Sequence, residues 1–108
     1  INFDGSAGVV ACQVGQVAGT DNELAFSVHD GANLLERMRI AENGSVGIGT
    51  GAPTCALDIA STSIRIRNSN TPSSASDTGA QGEIRWDANY FYICVATNTW
   101  KRVALDTW

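Results

Sequence analysis

Glu36-Arg-Met-Arg-Ile-Ala-Glu-Asn-Gly-Ser-Val-Gly-Ile-Gly-Thr50 is the stretch that decides how this chain of 108 residues folds. Ahead of Asn43-Gly44, Glu36, Met38 and Ile40 alternate with Arg37 and Arg39; behind it, Val46 and Ile48 alternate with Gly47 and Gly49. Asn-Gly accepts positive φ at both turn positions, so it joins two alternating runs into a tight hairpin. In the second run every other residue is glycine. A strand glycine packs nothing and costs entropy, and so marks a place where another backbone comes close. In so short a chain that backbone is expected to belong to another copy.

Immediately upstream, two patterns compete. Asn33-Leu-Leu-Glu36 has the form of a helix N-cap with its capping-box glutamate. Leu34, Leu35 and Met38 would then share a helical face, built from good helix formers. A short helix at 34–42 is the one helical option in the chain. The alternation at Glu36, Met38 and Ile40 opposes it, and strand is the reading taken.

Working outward, Leu24, Phe26 and Val28 alternate with Ala25 and Ser27 as a half-buried strand, followed by a turn at residues 29–33. Residues 19–22 form a turn cluster, and Val10, Cys12 and Val14 suggest a strand beginning after Asp4-Gly5. Downstream, Pro53 ends the glycine strand. Leu57 and Ile59 flank Asp58 in a short strand at 56–60, and Ile64 and Ile66 alternate with Arg65 and Arg67 in another at 63–68.

Residues 69–80 are Ser, Thr, Asn, Asp, Pro and Gly with almost no apolar content. Such a segment buries too little to offset its ordering, so it reads as a linker. Three strands then follow at 82–87, 90–96 and 100–105. The expected organisation is a β-rich segment at 1–68 with the Asn-Gly hairpin, a linker at 69–80 and a C-terminal β-meander at 81–108. The fold class is all-β, made of short antiparallel strands and hairpins.

Six of the eight aromatic residues fall in the meander: Trp86, Tyr90, Phe91, Tyr92, Trp100 and Trp108. A lone three-stranded sheet is marginal. Its open edges and large rings call for cover from another chain. A monomer of this length buries only roughly 65% of its unfolded surface, which points the same way.

The formal net charge is -4, and the cations sit on alternating strand positions instead of clustering. That excludes the footprint of a nucleic-acid binder and of a polybasic membrane-docking surface. No apolar run is long enough to insert in a bilayer, and no signal peptide is visible. Ile1 as first residue suggests a processed chain or a piece of a longer one. Cys12, Cys55 and Cys94 are odd in number and far apart, so they imply no internal disulfide framework and are expected to pack as small hydrophobes. With one histidine and no Cys-x-x-Cys pair, no metal site and no cofactor is expected.

No catalytic residue is assigned. His29 is the sole histidine, and Ser27 and Asp30 beside it lack a nucleophile elbow or oxyanion-hole motif. Glu83 and Asp87 share a strand face but lie roughly 13 Å apart on an extended strand, wider than the roughly 5–9.5 Å of glycosidase pairs. The glycines of residues 44–49 have the wrong spacing for a phosphate loop and no P-loop lysine. The better binding candidates are Trp86, Tyr90, Tyr92 and Trp100, whose rings suit the apolar faces of sugars. Packing in the core or between chains competes for the same four rings, and it is the favoured assignment.

The chain also resembles a known family. Glu36-Arg-Met-Arg-Ile, then Asn43-Gly44-x-Val46-Gly-Ile-Gly-Thr50 and Pro53, resemble a segment that recurs in bacteriophage tail-fibre and tail-spike proteins, including those of marine phages and prophages. Leu24-Ala-Phe-Ser-Val and Asp30-Gly-Ala fit its usual lead-in. Gly82-Glu-Ile-Arg-Trp-Asp-Ala-Asn-Tyr and Thr97-Asn-Thr-Trp-Lys-Arg-Val resemble a module found near the ends of such fibres. His29 departs from the pattern, where a small polar residue is usual.

The resemblance implies a non-enzymatic virion protein, assembled in the host cytoplasm as an intertwined homotrimer. Its partners would be other tail proteins and a host-surface glycan or protein. A head fibre or decoration protein of the capsid is an alternative, and so is a glycan-degrading tail-spike enzyme.

Overall fold

The computed structural model describes residues 1–4, 10–16 and 22–108. Among them there are nine strands and no helix, so the chain is all-β. It divides into two compact units, Ile1–Ser63 and Ile64–Trp108.

The N-terminal unit is one six-stranded sheet, ordered as in sequence: β1 (Asn2–Asp4), β2 (Val10–Gln16), β3 (Leu24–His29), β4 (Leu34–Ile40), β5 (Val46–Ile48) and β6 (Leu57–Ile59). All pairs are antiparallel except β5 with β6, which is parallel. The expected start of β2 after Gly5, and most of the turn at 19–22, lie outside the described residues.

Residues 34–40 are strand, and the helix-like spacing of Leu35 and Met38 has a local cause. Phe26 pairs with Met38 but Ser27 pairs with Glu36, so the register slips by one residue at a bulge. A bulge sets two residues against one. It thereby converts a spacing of two into a spacing of three between side chains on one face, which is also the spacing of a helix.

The Asn-Gly hairpin is present, with a different turn. Gly44 has φ 84°, while Asn43 is not at positive φ. Gly44 N donates to Ala41 O and Ala41 N to Ser45 O, which closes a three-residue loop. A turn with glycine in the left-handed position at its end is the usual three-residue hairpin. Asn43 serves it through its side chain, with Oδ1 accepting from Ser45 N at 3.0 Å.

The register sorts this sheet into two faces. Leu24 pairs with Ile40, Phe26 with Met38, Ile40 with Val46, Met38 with Ile48, Val46 with Leu57 and Ile48 with Ile59. That face is apolar and only half covered: Leu24, Val28, Ile48 and Leu57 are all exposed. The opposite face carries Ala25, Arg39, Gly47 and Asp58. There Arg39 bridges Glu23 at 2.9 Å and Glu36 at 2.7 Å.

The glycine strand was expected to meet another copy. Within this chain, its near neighbours are Thr50 and Ala60. A Cβ on Gly47 would collide with the Thr50 carbonyl, and one on Gly49 would lie 3.3 Å from the Ala60 carbonyl just past β6. The approaching backbone is Thr50 for Gly47 and Ala60, which follows the parallel partner strand, for Gly49.

The C-terminal unit holds a three-stranded antiparallel sheet of β7 (Ile84–Trp86), β8 (Tyr90–Ala96) and β9 (Thr99–Ala104). Residues 63–68 are not a strand, and Ile64 and Ile66 are exposed. Their alternation finds no partner strand; the Ile66 carbonyl instead accepts from Trp86 Nε1 at 2.8 Å.

Residues 69–80, expected as a linker, lie against the sheet. Trp100 N donates to Ala75 O, Asn98 N to Gly79 O, and Asn70 N to Trp86 O. Composition suggested little to bury, yet the segment contributes backbone carbonyls that the sheet needs, together with the buried Pro72 and Gly79. Of the cysteines, Cys94 is fully buried, as expected for a small hydrophobe, but Cys55 is exposed. The Cys12 side chain lies outside the described residues.

Candidate functional site

The site grows from strand alternation in the C-terminal unit. Along β8, Tyr90, Tyr92 and Cys94 point to one face, and Phe91, Ile93 and Val95 to the other. Pairing of Arg85 with Tyr92, Tyr92 with Arg102 and Cys94 with Trp100 completes the first face. Trp86 pairs with Phe91 and belongs to the second. Three of the four candidate rings therefore share a face, and Trp86 is separated from them.

Burial divides the remaining three. Tyr92, Cys94 and Trp100 form the buried cluster of this unit, with Tyr90 half-buried against it. Trp100 is roofed by residues 75–79. Its Nε1 donates to Asp77 O at 3.0 Å, and a Cβ on Gly79 would fall 2.5 Å from its ring. Arg85 stacks on the same indole, 4.4 Å from the ring centre. Trp100 and Tyr92 are thus core residues for most of their surface.

Every carboxylate beside these rings is engaged in holding the fold. Asp87 accepts from the Tyr92 hydroxyl at 2.5 Å, from Thr71 Oγ1 at 2.7 Å, and from the backbone N–H groups of Asn89 and Tyr90. Those donors, Tyr92 first, hold its pKa far below the ordinary carboxylate range. The same bond raises the pKa of Tyr92. Glu83 is lowered by the Ala80 N–H and then by Arg85. Asp77 is lowered chiefly by Ser73 N–H. A general acid needs a raised pKa; all three are shifted the other way.

His29 and Asp30 are likewise spent on a turn, and Ser27 lies within β3. His29 Nδ1 accepts from Gly31 N at 3.0 Å, and Asp30 Oδ1 accepts from Ala32 N and Asn33 N at 2.8 Å each. Among the described residues, no group of three or more His, Cys, Asp or Glu is placed to hold a metal ion.

What remains open is a cavity of about 320 Å³ beside the core, lined by residues 72–75, Tyr92, Trp100 and residues 101–102. Small-molecule clefts span roughly 300–1,000 Å³, and this one lies at the small end of that range. Arg102 stands at it with its guanidinium 4.0 Å from the centre of the Tyr90 ring. Tyr90 and Tyr92 are 5.9 Å apart and tilted by 52°. Sequence reasoning did not single out Arg102. The signal was available, because Arg102 lies two residues after Trp100 on one strand and so shares its face.

Comparison with known proteins gives short matches. Part of the chain is 45% identical over 56 residues to "Depolymerase, capsule K30/K69-specific" of Klebsiella phage K64-1, covering 52% of this chain and 7% of that protein. It is 51% identical over 41 residues to "Depolymerase 1, capsule K30/K69-specific" of Klebsiella phage K5-2, covering 38% of this chain and 5% of that protein. The chain thus spans a small fraction of the length of these relatives. No protein-family model matches it, and no solved structure does. The matches support a phage tail-associated protein.

Proposed function

We propose that this chain is a non-catalytic structural segment of a bacteriophage tail fibre or spike, acting as a homotrimer and contributing to attachment at host-surface polysaccharide. One observation carries the non-catalytic part: the acids beside the aromatic cluster are consumed by structural hydrogen bonds that depress their pKa values. Aromatic rings and a cavity are left for binding, and the described carboxylates beside them are shifted away from the range of a general acid.

The assembly part rests on uncovered apolar surface. In the N-terminal unit, Leu24, Val28, Ile48 and Leu57 are exposed; in the C-terminal unit, Ile84, Phe91, Ile93 and Val103 are. Apolar sheet faces of this kind mark association surfaces, and cyclic symmetry is the common way for identical chains to bury them. The partners are other copies of the chain, neighbouring tail proteins and the host glycan; the place of action is the virion, after assembly in the host cytoplasm.

The names of the two relatives favour a second reading, in which the chain is part of a glycan-degrading enzyme. Incubating the protein with capsular polysaccharide and measuring reducing ends separates the two. Retention of the polysaccharide without new reducing ends is expected; turnover by this chain alone contradicts the proposal. Locating the chain in intact virions by electron microscopy tests the tail assignment against a capsid-head fibre.

A further inference from the structure

We infer that the cavity beside Trp100 is a subsite for a carboxylate-bearing sugar, with Arg102 as its anchor. The inference rests on the attachment reading and specifies the ligand class and the residue that selects it.

The argument starts from the arginines. Arg39 is paired with Glu23 and Glu36, and Arg85 with Glu83 and Asp77. Both are structural rivets. Arg102 is in no ion pair among the described residues. It is nonetheless positioned, because its guanidinium stacks on Tyr90 at 4.0 Å. Stacking uses the flat face of the group; one edge approaches the Tyr92 hydroxyl, and the five in-plane N–H donors exceed that single partner. A positioned guanidinium without a carboxylate partner, at a cavity, is suited to a ligand carboxylate held by two parallel hydrogen bonds.

The cavity supplies the rest of a sugar site. Tyr92 and Trp100 provide aromatic edges, and the segment at 72–75 brings serine hydroxyls and backbone. Asp87, the acid bonded to Tyr92, has both oxygens taken up by Tyr92, Thr71, Asn89 and Tyr90. Its negative charge is therefore tied to protein donors. Arg67 is an exposed cation of the same unit that does not line the cavity, which makes it a matched control.

The test titrates the full chain with three methyl glycosides followed by NMR: a glucuronide, a pyruvate-ketal galactoside and neutral glucoside. The first two present the carboxylate from different sources. Binding of either acidic sugar about tenfold tighter than the neutral one is expected, since charge-assisted pairs are roughly twice as strong as neutral ones. Arg102→Gln should erase that preference, Arg102→Lys should retain part of it, and Arg67→Gln should leave it unchanged. Melting temperatures of the variants verify folding, and the lysine variant keeps the test valid if the glutamine variant does not fold. Equal affinity for all three sugars, or a preference that survives Arg102→Gln, overturns the inference while leaving attachment standing. Binding of none of the three overturns the inference, and retention of whole polysaccharide then judges the attachment reading separately.

Discussion

In the N-terminal unit, Ala25 is the one buried hydrophobic among the described residues; in the C-terminal unit, Tyr92, Cys94 and Trp100 form a cluster around a single indole. Yet the first unit has twice as many strands as the second. Strand number does not make a core. The larger sheet is one layer, with a polar face fastened by Arg39 and an apolar face left half open. The smaller sheet gains a second layer from a polar loop that satisfies the backbone and indole N–H groups of Trp100. A layer of irregular chain can replace a second sheet when its carbonyls find donors.

The largest expected effect comes from removing the centre of the smaller core. Trp100→Ala should cost about 3–5 kcal/mol, enough to unfold a unit of this size. The N-terminal sheet should survive. Hydrogen exchange read by mass spectrometry tests the contrast: loss of protection confined to 64–108 is expected, and loss throughout the chain would erase the distinction between the units.

Gly79→Ala sharpens the same point with a smaller change. The added Cβ would fall 2.5 Å from the buried indole, so the loop must lift or the ring must move. The expected cost is about 1–3 kcal/mol, as for other overpacked cores. All three tryptophans lie in the C-terminal unit. The shift should therefore appear in the midpoint of a fluorescence-monitored urea titration.

In the N-terminal unit the counterpart is Gly49. Its φ of 74° is disfavoured for any residue with a Cβ. Gly49→Ala should cost about 1–2 kcal/mol of local stability, and the β-branched Gly49→Val more. The damage is to folding within the chain, since the neighbour is Ala60 of the same chain. A thermal melt of the alanine variant unchanged from the parent would contradict this.

Acid should act on the smaller unit gradually. Asp87, Glu83 and Asp77 have depressed pKa values in the fold. Their contribution is present above the unfolded carboxyl pKa of about 4, and is lost as pH falls through the folded values. Fluorescence melting temperature should therefore drop steadily from pH 4 downward, and Asp87→Asn should flatten that decline.

The comparison also explains what was legible in the sequence. Period-2 alternation at Leu24, Phe26 and Val28, and around Asn43-Gly44, places β3, β4 and β5 correctly. The three meander strands are marked differently, by aromatic and β-branched runs between turn residues at 88–89 and 97–99. The bulge at Ser27 and Glu36 was hidden, since a one-residue slip mimics helical spacing. Ile64 and Ile66 alternate without a partner, and pairing is a non-local property that no short window contains. The order at 69–80 was invisible for the opposite reason: it depends on carbonyls meeting Trp100 and Asn98, and carbonyls carry no sequence signature. Arg102 was within reach through its spacing from Trp100; its freedom from carboxylates was not.

Hydrogen exchange followed over a dilution series, with mass measured by light scattering at each point, tests the central claim most directly. The proposed homotrimer, with a buried cluster in its C-terminal unit and a largely uncovered N-terminal sheet, predicts two behaviours. Protection at Tyr92, Cys94 and Trp100 should stay constant at every concentration. Protection at Leu24–His29 and Leu34–Ile40 should rise as mass approaches three copies. A monomer at all concentrations, with both sheets equally protected, would contradict the account.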